Sequence, residues 1–438
     1  MKLYNILLAF LLALPTFLFS QNILTQKQAV SNTLANNYGI RVAKNDVEVA
    51  INNTDRGANG YMPTLNASAG PTGNFGGSTQ TFNGPIEDVE ISNEFSWGAN
   101  ASVGANYTLF DQSRDFTLEQ LKEVVNLSDL QLRQTMEGSL LQVFSGYYEV
   151  ARLSENIDVL AQTLEVSRRR LSRAEYRFEF GQGNRIDALN AQVDIQRDSV
   201  NLLNAQQQLA NAKRNLNFLM GVPVDTDFQV DTSVTYVPAL SEPQLVSDAK
   251  NKNIAILAAD QNLVIREMDL KIIDATKKPT VGSNLNYTYT YSKSAPGSFI
   301  ASSTNRGFNG SITLNWNIFD GGRRNIQTQN TQLAIQSQLV QKEQLEQELE
   351  RDVRNAWEAY QNALFVLDVE RQALATNQQN LERTQQLFEA GQVSSVEFRQ
   401  AQLNQLNSTV SFNSAKYNAK VVELQLLQLS GRLLDAVQ

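Results

Sequence analysis

Residues 93–111 read NEFSWGANASVGANYTLFD. Phe95, Trp97, Ala99, Ala101, Val103, Ala105, Tyr107 and Leu109 are apolar, while Ser96, Gly98, Asn100, Ser102, Gly104, Asn106 and Thr108 between them are small or polar. A repeat of two sends alternate side chains to opposite faces of a β-strand. The run outlasts the roughly 5–6 residues of an ordinary strand. Its polar face carries no charge, only groups suited to a wet interior. Because about 9–11 residues suffice for a strand to cross the hydrocarbon, the stretch predicts a membrane-spanning barrel strand.

The pattern recurs three times. Leu65, Ala67 and Ala69 alternate with Thr64, Asn66, Ser68 and Gly70; Leu285, Tyr287, Tyr289 and Tyr291 alternate with Asn284, Asn286, Thr288 and Thr290. Phe308, Ile312, Leu314, Trp316 and Ile318 alternate with Asn309, Ser311, Thr313, Asn315 and Asn317. The expectation is four strands in two hairpins, with Gly/Ser/Thr/Asn-rich surface loops over residues 71–90 and 292–306. Four strands cannot close a barrel, since the smallest membrane barrels have about 8 and an open edge in lipid leaves backbone groups unpaired. The chain must therefore oligomerise to span a membrane. Phe95, Trp97, Tyr107, Tyr287, Tyr289, Tyr291 and Trp316 are expected near strand ends, where interfacial girdles sit. A soluble β-sandwich core is the competing reading of the same alternation.

The net charge of -8 and pI near 5.0 argue against a nucleic-acid partner. Cysteine and histidine are absent, which removes thiol and imidazole catalysis, disulfides and the usual zinc sites, so no cofactor and no metal site is expected. Residues 1–20 read as an export signal, with Lys2, an apolar run over 6–19 and Ser20 ahead of a cut before Gln21. That run is shorter than the roughly 18–20 residues of a spanning helix, and no other segment resembles one. Any spanning falls to the strands.

The chain is a duplication. Phe110-Asp111 recurs as Phe319-Asp320, 209 residues on; Phe178 to Gly181 recurs as Phe388 to Gly391, Ala191-Gln192 as Ala401-Gln402, and Leu219-Met220-Gly221 as Leu429-Ser430-Gly431, all at 210. Upstream, Val30-Ser31 pairs with Val246-Ser247 and Pro63-Thr64 with Pro279-Thr280 at 216. The first repeat covers 21–221: a helix, a hairpin over 62–111, a long helix over 112–180 and a helix over 185–220. The second covers 243–438: a helix, a hairpin over 280–320, a long helix over 321–390 and a helix over 394–432. Residues 222–242 are read as the connector, with Ser241 or Glu242 capping a helix that has Pro243 in its first turn.

No proline interrupts either long helix. Met136, Val143, Val150, Ile157, Leu164, Leu171 and Phe178 are spaced by seven, as are Val353, Tyr360, Leu367, Leu374, Leu381 and Phe388. A strict heptad predicts packing along a coiled-coil seam. The intervening Gln, Asn, Ser, Thr and Ala suit helices with wet faces, as in a tunnel wall, although a two-stranded coiled coil shares the period. The fold class expected is mixed α and β: four barrel strands per chain plus long coiled-coil helices.

The order of these elements, Tyr61-Met62-Pro63-Thr64-Leu65 entering the first strand, Ile318-Phe319-Asp320-Gly321-Gly322-Arg323 leaving the fourth, and the glycine-centred turns resemble TolC-type outer-membrane efflux proteins over residues 23 to about 434. The resemblance implies a homotrimer whose hairpins close a twelve-stranded barrel in the outer-membrane lipid of a Gram-negative-type bacterium, continued by an α-helical tunnel through the periplasm. It implies an exit duct, not an enzyme, for a tripartite efflux or type I secretion system. A periplasmic adaptor and an inner-membrane pump would dock at the helix tips. Cargo stays open among drugs, metal ions, siderophores and polypeptides.

By the same resemblance, Gly181, Gln182, Gly183 and Asn184 in one copy and Gly391, Gln392, Val393 and Ser394 in the other match the adaptor-docking turns. Gly183 and Asn184 depart from the family's apolar residue and hydroxyl after the glycine. Asp187 and Glu397 match the first acidic position inside the entrance, while the second is neutral here, Asn190 and Gln400. Asp187 equally suits a helix N-terminus on electrostatic grounds. Arg114, Arg323 and Arg324, just after the strands, suit either the membrane interface or an ordinary helix start. Two other functions compete: a trimeric surface adhesin or structural coiled coil with a barrel anchor, and a carboxylate hydrolase built on Glu175 and Glu179.

Overall fold

A computed structural model describes residues 23–85, 87–296 and 298–435, so the expected export signal over 1–20 lies outside the described residues. The first half of the chain contains β1 (Ile23–Leu24), α1 (Gln26–Asn36), α2 (Tyr38–Asn52), β2 (Thr64–Gln80), β3 (Val89–Phe110), α3 (Gln112–Glu179) and α4 (Arg185–Met220). The second contains β4 (Gln229–Val230), α5 (Glu242–Lys252), α6 (Ile254–Ala275), β5 (Thr280–Lys293), β6 (Ser302–Asn315), α7 (Arg323–Glu389) and α8 (Ser395–Leu429). Among the described residues no helix is long and apolar enough to cross a membrane.

Two compact units divide the chain, one within residues 1–43, 132–256 and 345–438 and the other within 44–131 and 257–344. Each takes segments from both halves of the duplicated sequence.

The second unit holds an antiparallel sheet in the order β2-β3-β5-β6. Its register decides how the alternation is used. Val103 pairs with Ala67 on one side and Tyr287 on the other, Tyr287 pairs with Phe308, and Ala105, Leu65 and Leu285 likewise stand opposite one another. Directly opposed residues share a face. All four apolar series therefore lie on one side of the sheet, while Asn66, Gly104, Asn286 and Asn309 lie together on the other. A one-residue slip in any pair would mix the faces.

Three strand expectations are corrected. Pairing continues through most of the expected loops, leaving only residues 81–88 and 294–301 between strands. The Gly/Ser/Thr-rich stretch stays in the ladder by pairing along its length with β3, Pro71 standing opposite Ala99. A bulge between Gly76 and Ser78 absorbs the irregularity, with Asn93 at φ 51. The fourth strand ends at Asn315, short of Ile318, because its partner begins at Thr280; the Trp316 indole N–H instead donates to the Lys277 carbonyl at 3.0 Å. Tyr287 falls in the middle of β5 rather than near an end, its ring 4.8 Å from that of Phe308.

The corners after β3 and β6 are built alike. Asp111 Oδ1 accepts from the Ser113 N–H at 3.0 Å, and Asp320 Oδ1 accepts from the Gly322 N–H at 3.1 Å. Arg114 donates to the Gly60 carbonyl at 2.7 Å and Arg324 to the Thr276 carbonyl at 3.3 Å; the two acceptors are related by the same 216-residue offset as the strand entries, the two arginines by 210. Arg114 also lies over the Tyr61 ring at 4.1 Å, and Arg324 Nε donates to Asp320 at 2.8 Å. These two arginines fasten each helix start to the turn that precedes its hairpin.

The first unit is centred on Tyr147, Leu140, Val143, Val150, Leu216, Met220 and Leu427, all buried. Val143, Val150, Leu164, Val353, Tyr360 and Leu367 of the heptad series are buried within one chain, whereas Phe178 is exposed. The expected connector contains β4, which pairs in parallel with β1, and the Tyr147 hydroxyl accepts from the Asp231 N–H at 3.0 Å and donates to the Leu24 carbonyl at 2.9 Å. Both leading helices are interrupted by an asparagine: the Asn37 amide donates to the Leu219 carbonyl at 2.7 Å, and Asn253 to Leu429 at 2.9 Å. Gly221, at φ 71, packs against the first of these breaks so closely that a Cβ would lie 2.3 Å from the Asn36 oxygen. Ser241 precedes α5 as expected, with proline in the first turn, but its hydroxyl makes no capping bond.

Candidate functional site at the helix turns

The chain reverses twice in the first unit, between α3 and α4 and between α7 and α8. Both long helices end the same way. The Gly181 N–H donates to the Phe178 carbonyl at 3.0 Å and the Gln182 N–H to the Arg177 carbonyl at 2.8 Å; Gly391 and Gln392 repeat this with Phe388 and Leu387 at 3.1 and 2.8 Å. The pair of bonds requires a left-handed residue after the helix, and Gly181 and Gly391 supply φ values of 67 and 74. The following helices are capped differently. Asn184 Oδ1 accepts from the Ile186 N–H at 3.1 Å, whereas Ser394 and Glu397 form a reciprocal box with bonds of 3.2 and 2.7 Å.

Asp187 and Glu397 thus both stand at the third position of a helix, as their shared offset requires. The Ser394 backbone N–H, and then its hydroxyl, hold the Glu397 carboxyl below the usual range. Glu397 is engaged with its own cap; among the described residues no such bond ties the Asp187 carboxylate, which lines a cavity between the turns. Asn190 and Gln400 are exposed, with the Gln400 amide donating to Asn404 at 2.8 Å. Gly181, Gln182, Asn184, Gly391, Gln392 and Ser394 are exposed, and Gly183 and Val393 half-buried.

Behind the turns lies a buried polar network that the periodicity did not reveal. Arg399 on α8 donates to both oxygens of Asp198 on α4, to Ser167 on α3 at 3.2 Å and to Gln402 at 3.0 Å. Ser167 donates to Asp198 at 2.7 Å, and the Gln402 amide to the Thr163 carbonyl at 3.1 Å. Asp194 receives Arg170 as an ion pair and Arg197 at 2.8 Å. The signal for this network was a break in the repeat symmetry: Arg399 stands where the first copy has Leu189, and Asp198 where the second has Ser408.

A sheet with one apolar face and unpaired edges, together with long helices that reverse at matched glycine turns, defines a channel-type outer-membrane protein. The chain belongs to the outer membrane efflux protein family, whose model matches residues 29–222 and 245–432, one segment in each half of the duplication. TolC of Escherichia coli K12 is 23% identical over 82% of this chain and 74% of its own length, and TolC of Vibrio cholerae O1 is 22% identical over 76% and 77%. Among solved structures, CusC superposes with a TM-score of 0.69 at 18% identity over 93% of this chain and 92% of its own. The Campylobacter jejuni CmeC outer membrane channel superposes at 0.69 and 15% identity, over 93% and 86%.

Proposed function

We propose that the chain is the exit duct of a tripartite efflux or type I secretion system, passing cargo unchanged from an inner-membrane pump and periplasmic adaptor across the periplasm and outer membrane. The observation that carries this is the sheet: four strands with their apolar series on one face and with β2 and β6 as open edges. In lipid such edges must be paired, and three copies joined edge to edge close a twelve-stranded barrel. Membership of an outer-membrane efflux family supports the same reading. Asp187 and Glu397 are assigned to the entrance, with Asn190 and Gln400 as its neutral second layer, and the turns at Gly181 to Asn184 and Gly391 to Ser394 to adaptor docking.

The test is the mass of the detergent-purified protein together with its conductance in a planar bilayer. A trimer passing small, mostly closed, cation-preferring currents is expected. A monomer that keeps its fold and gives no current would remove the barrel. Asp187→Asn with Glu397→Gln should weaken cation preference; unchanged selectivity would remove these two from the entrance.

A further inference from the structure

We propose that the cavity between the two helix turns is an oxyanion site, which takes a carboxylate or phosphate-type group against Arg170, Arg173 and Arg177. The cavity measures about 210 Å³ and is lined by these three arginines of α3, by the turn residues Gly183 and Ser394, by Ser395 at the start of α8, and by a single carboxylate, Asp187. Spacings of three and four place the guanidinium stems on one helix face. Both α4 and α8 begin at its wall, adding the positive ends of two helices.

The arginines are not saturated by the fold. The Arg170 side chain is 3% exposed; one nitrogen pairs with Asp194, while Nε and Nη1 are buried without a partner. Arg173 donates to the Glu389 carbonyl at 3.1 Å and lies 5.2 Å from the Phe388 ring centre, and Arg177 donates to the Gln182 carbonyl at 3.2 Å. Among the described residues neither has a carboxylate partner. Purely structural arginines would spend their donors on the surrounding protein. Here Arg173 and Arg177, each bonded to one backbone carbonyl, border an open volume with donors left over, the arrangement that grips a two-oxygen anion, while Arg170, whose Nε and Nη1 are shut off from solvent, adds positive charge behind them. Free phosphate or a carboxylate can supply that group, and neither requires the docking reading to hold.

Because the chain contains no cysteine, Ala174→Cys places a unique thiol in the cavity wall. The full-length purified protein is reacted with the anionic sulfonatoethyl and the cationic trimethylammonioethyl methanethiosulfonates. The anionic reagent should react faster by roughly tenfold or more, the scale of local electrostatic steering. The preference should collapse in Arg173→Gln/Arg177→Gln and survive in Arg168→Gln/Arg169→Gln, which removes the same charge from the same helix outside the lining. Equal rates in the parent, or equal collapse in both double variants, would overturn the site. At constant ionic strength, protection of the thiol by inorganic phosphate assigns the site to a phosphate-type anion, and protection by acetate alone assigns it to a carboxylate. Protection by neither also overturns it.

Discussion

Arg399 of α8 and Asp198 of α4 meet through two hydrogen bonds, 2.6 Å from Nη2 to Oδ1 and 2.9 Å from Nη1 to Oδ2, with side chains only 7% and 3% exposed. The pair joins helices from opposite halves of the duplication, just inside the turns. Burying two charges is costly unless they are matched, and here Ser167 and Gln402 add further bonds, while Arg399 Nε, without a hydrogen-bond partner, lies 3.5 Å from Asp194 Oδ1.

Arg399→Leu, which installs the residue of the other copy, leaves Asp198 buried without its cation and should cost about 3–5 kcal/mol of stability. Arg399→Leu combined with Asp198→Ser removes both charges and should recover most of that loss. Thermal or denaturant unfolding of the four proteins of this cycle measures the coupling. An additive double variant would show that the pair does not interact in the folded protein.

This network marks where sequence reading stops. Strands were legible because the alternation is set by the two faces of a sheet, whatever the partner strand. The turns were legible because a helix end with Gly181 or Gly391 has few alternatives. Strand ends were not, since β2 keeps its ladder through Gly/Ser/Thr-rich sequence by pairing with β3, and that partner is invisible in β2 alone. Contacts between halves were hidden for a related reason: Arg399 and Asp198 are 201 residues apart and obey no repeat.

Gly221 and Gly181 have nearly the same φ, 71 and 67, but different surroundings. A Cβ on Gly181 meets nothing within 4 Å, whereas on Gly221 it would lie 2.3 Å from the Asn36 carbonyl oxygen. Gly181→Ala should therefore cost only the left-handed strain, about 1–2 kcal/mol. Gly221→Ala should cost clearly more, because the break between α1 and α2 has to move. Comparable unfolding midpoints for the two variants would contradict this ranking.

The face assignment predicts a polarity for substitutions in β3. Ala101 lies on the apolar face between Ala69 and Tyr289, and Asn100 beside it lies on the polar face between Gly70 and Thr290. If the apolar face meets lipid, Ala101→Arg should cost about 2–4 kcal/mol near the bilayer midplane, and Asn100→Arg should be tolerated in assembly. Heat resistance of the detergent-solubilised oligomer on gels reads this out. Equal loss for both would mean that the apolar face is not the lipid face.

Glu137 of α3 gives the stability of the first unit a pH dependence. It is 6% exposed, and burial pushes its carboxyl up to about 7, against a smaller opposing pull from Arg133. The folded state thus holds the proton more tightly than the unfolded chain, whose carboxyl titrates near 4.5. The sign follows from linkage: the stabilisation is complete below about 4.5 and is lost as pH rises through about 7. Glu137→Gln keeps the neutral shape at every pH. The variant should match the parent at acid pH and exceed it above neutrality, so the difference in melting temperature opens between those two limits. A gap that is constant with pH would show that Glu137 does not titrate in this range.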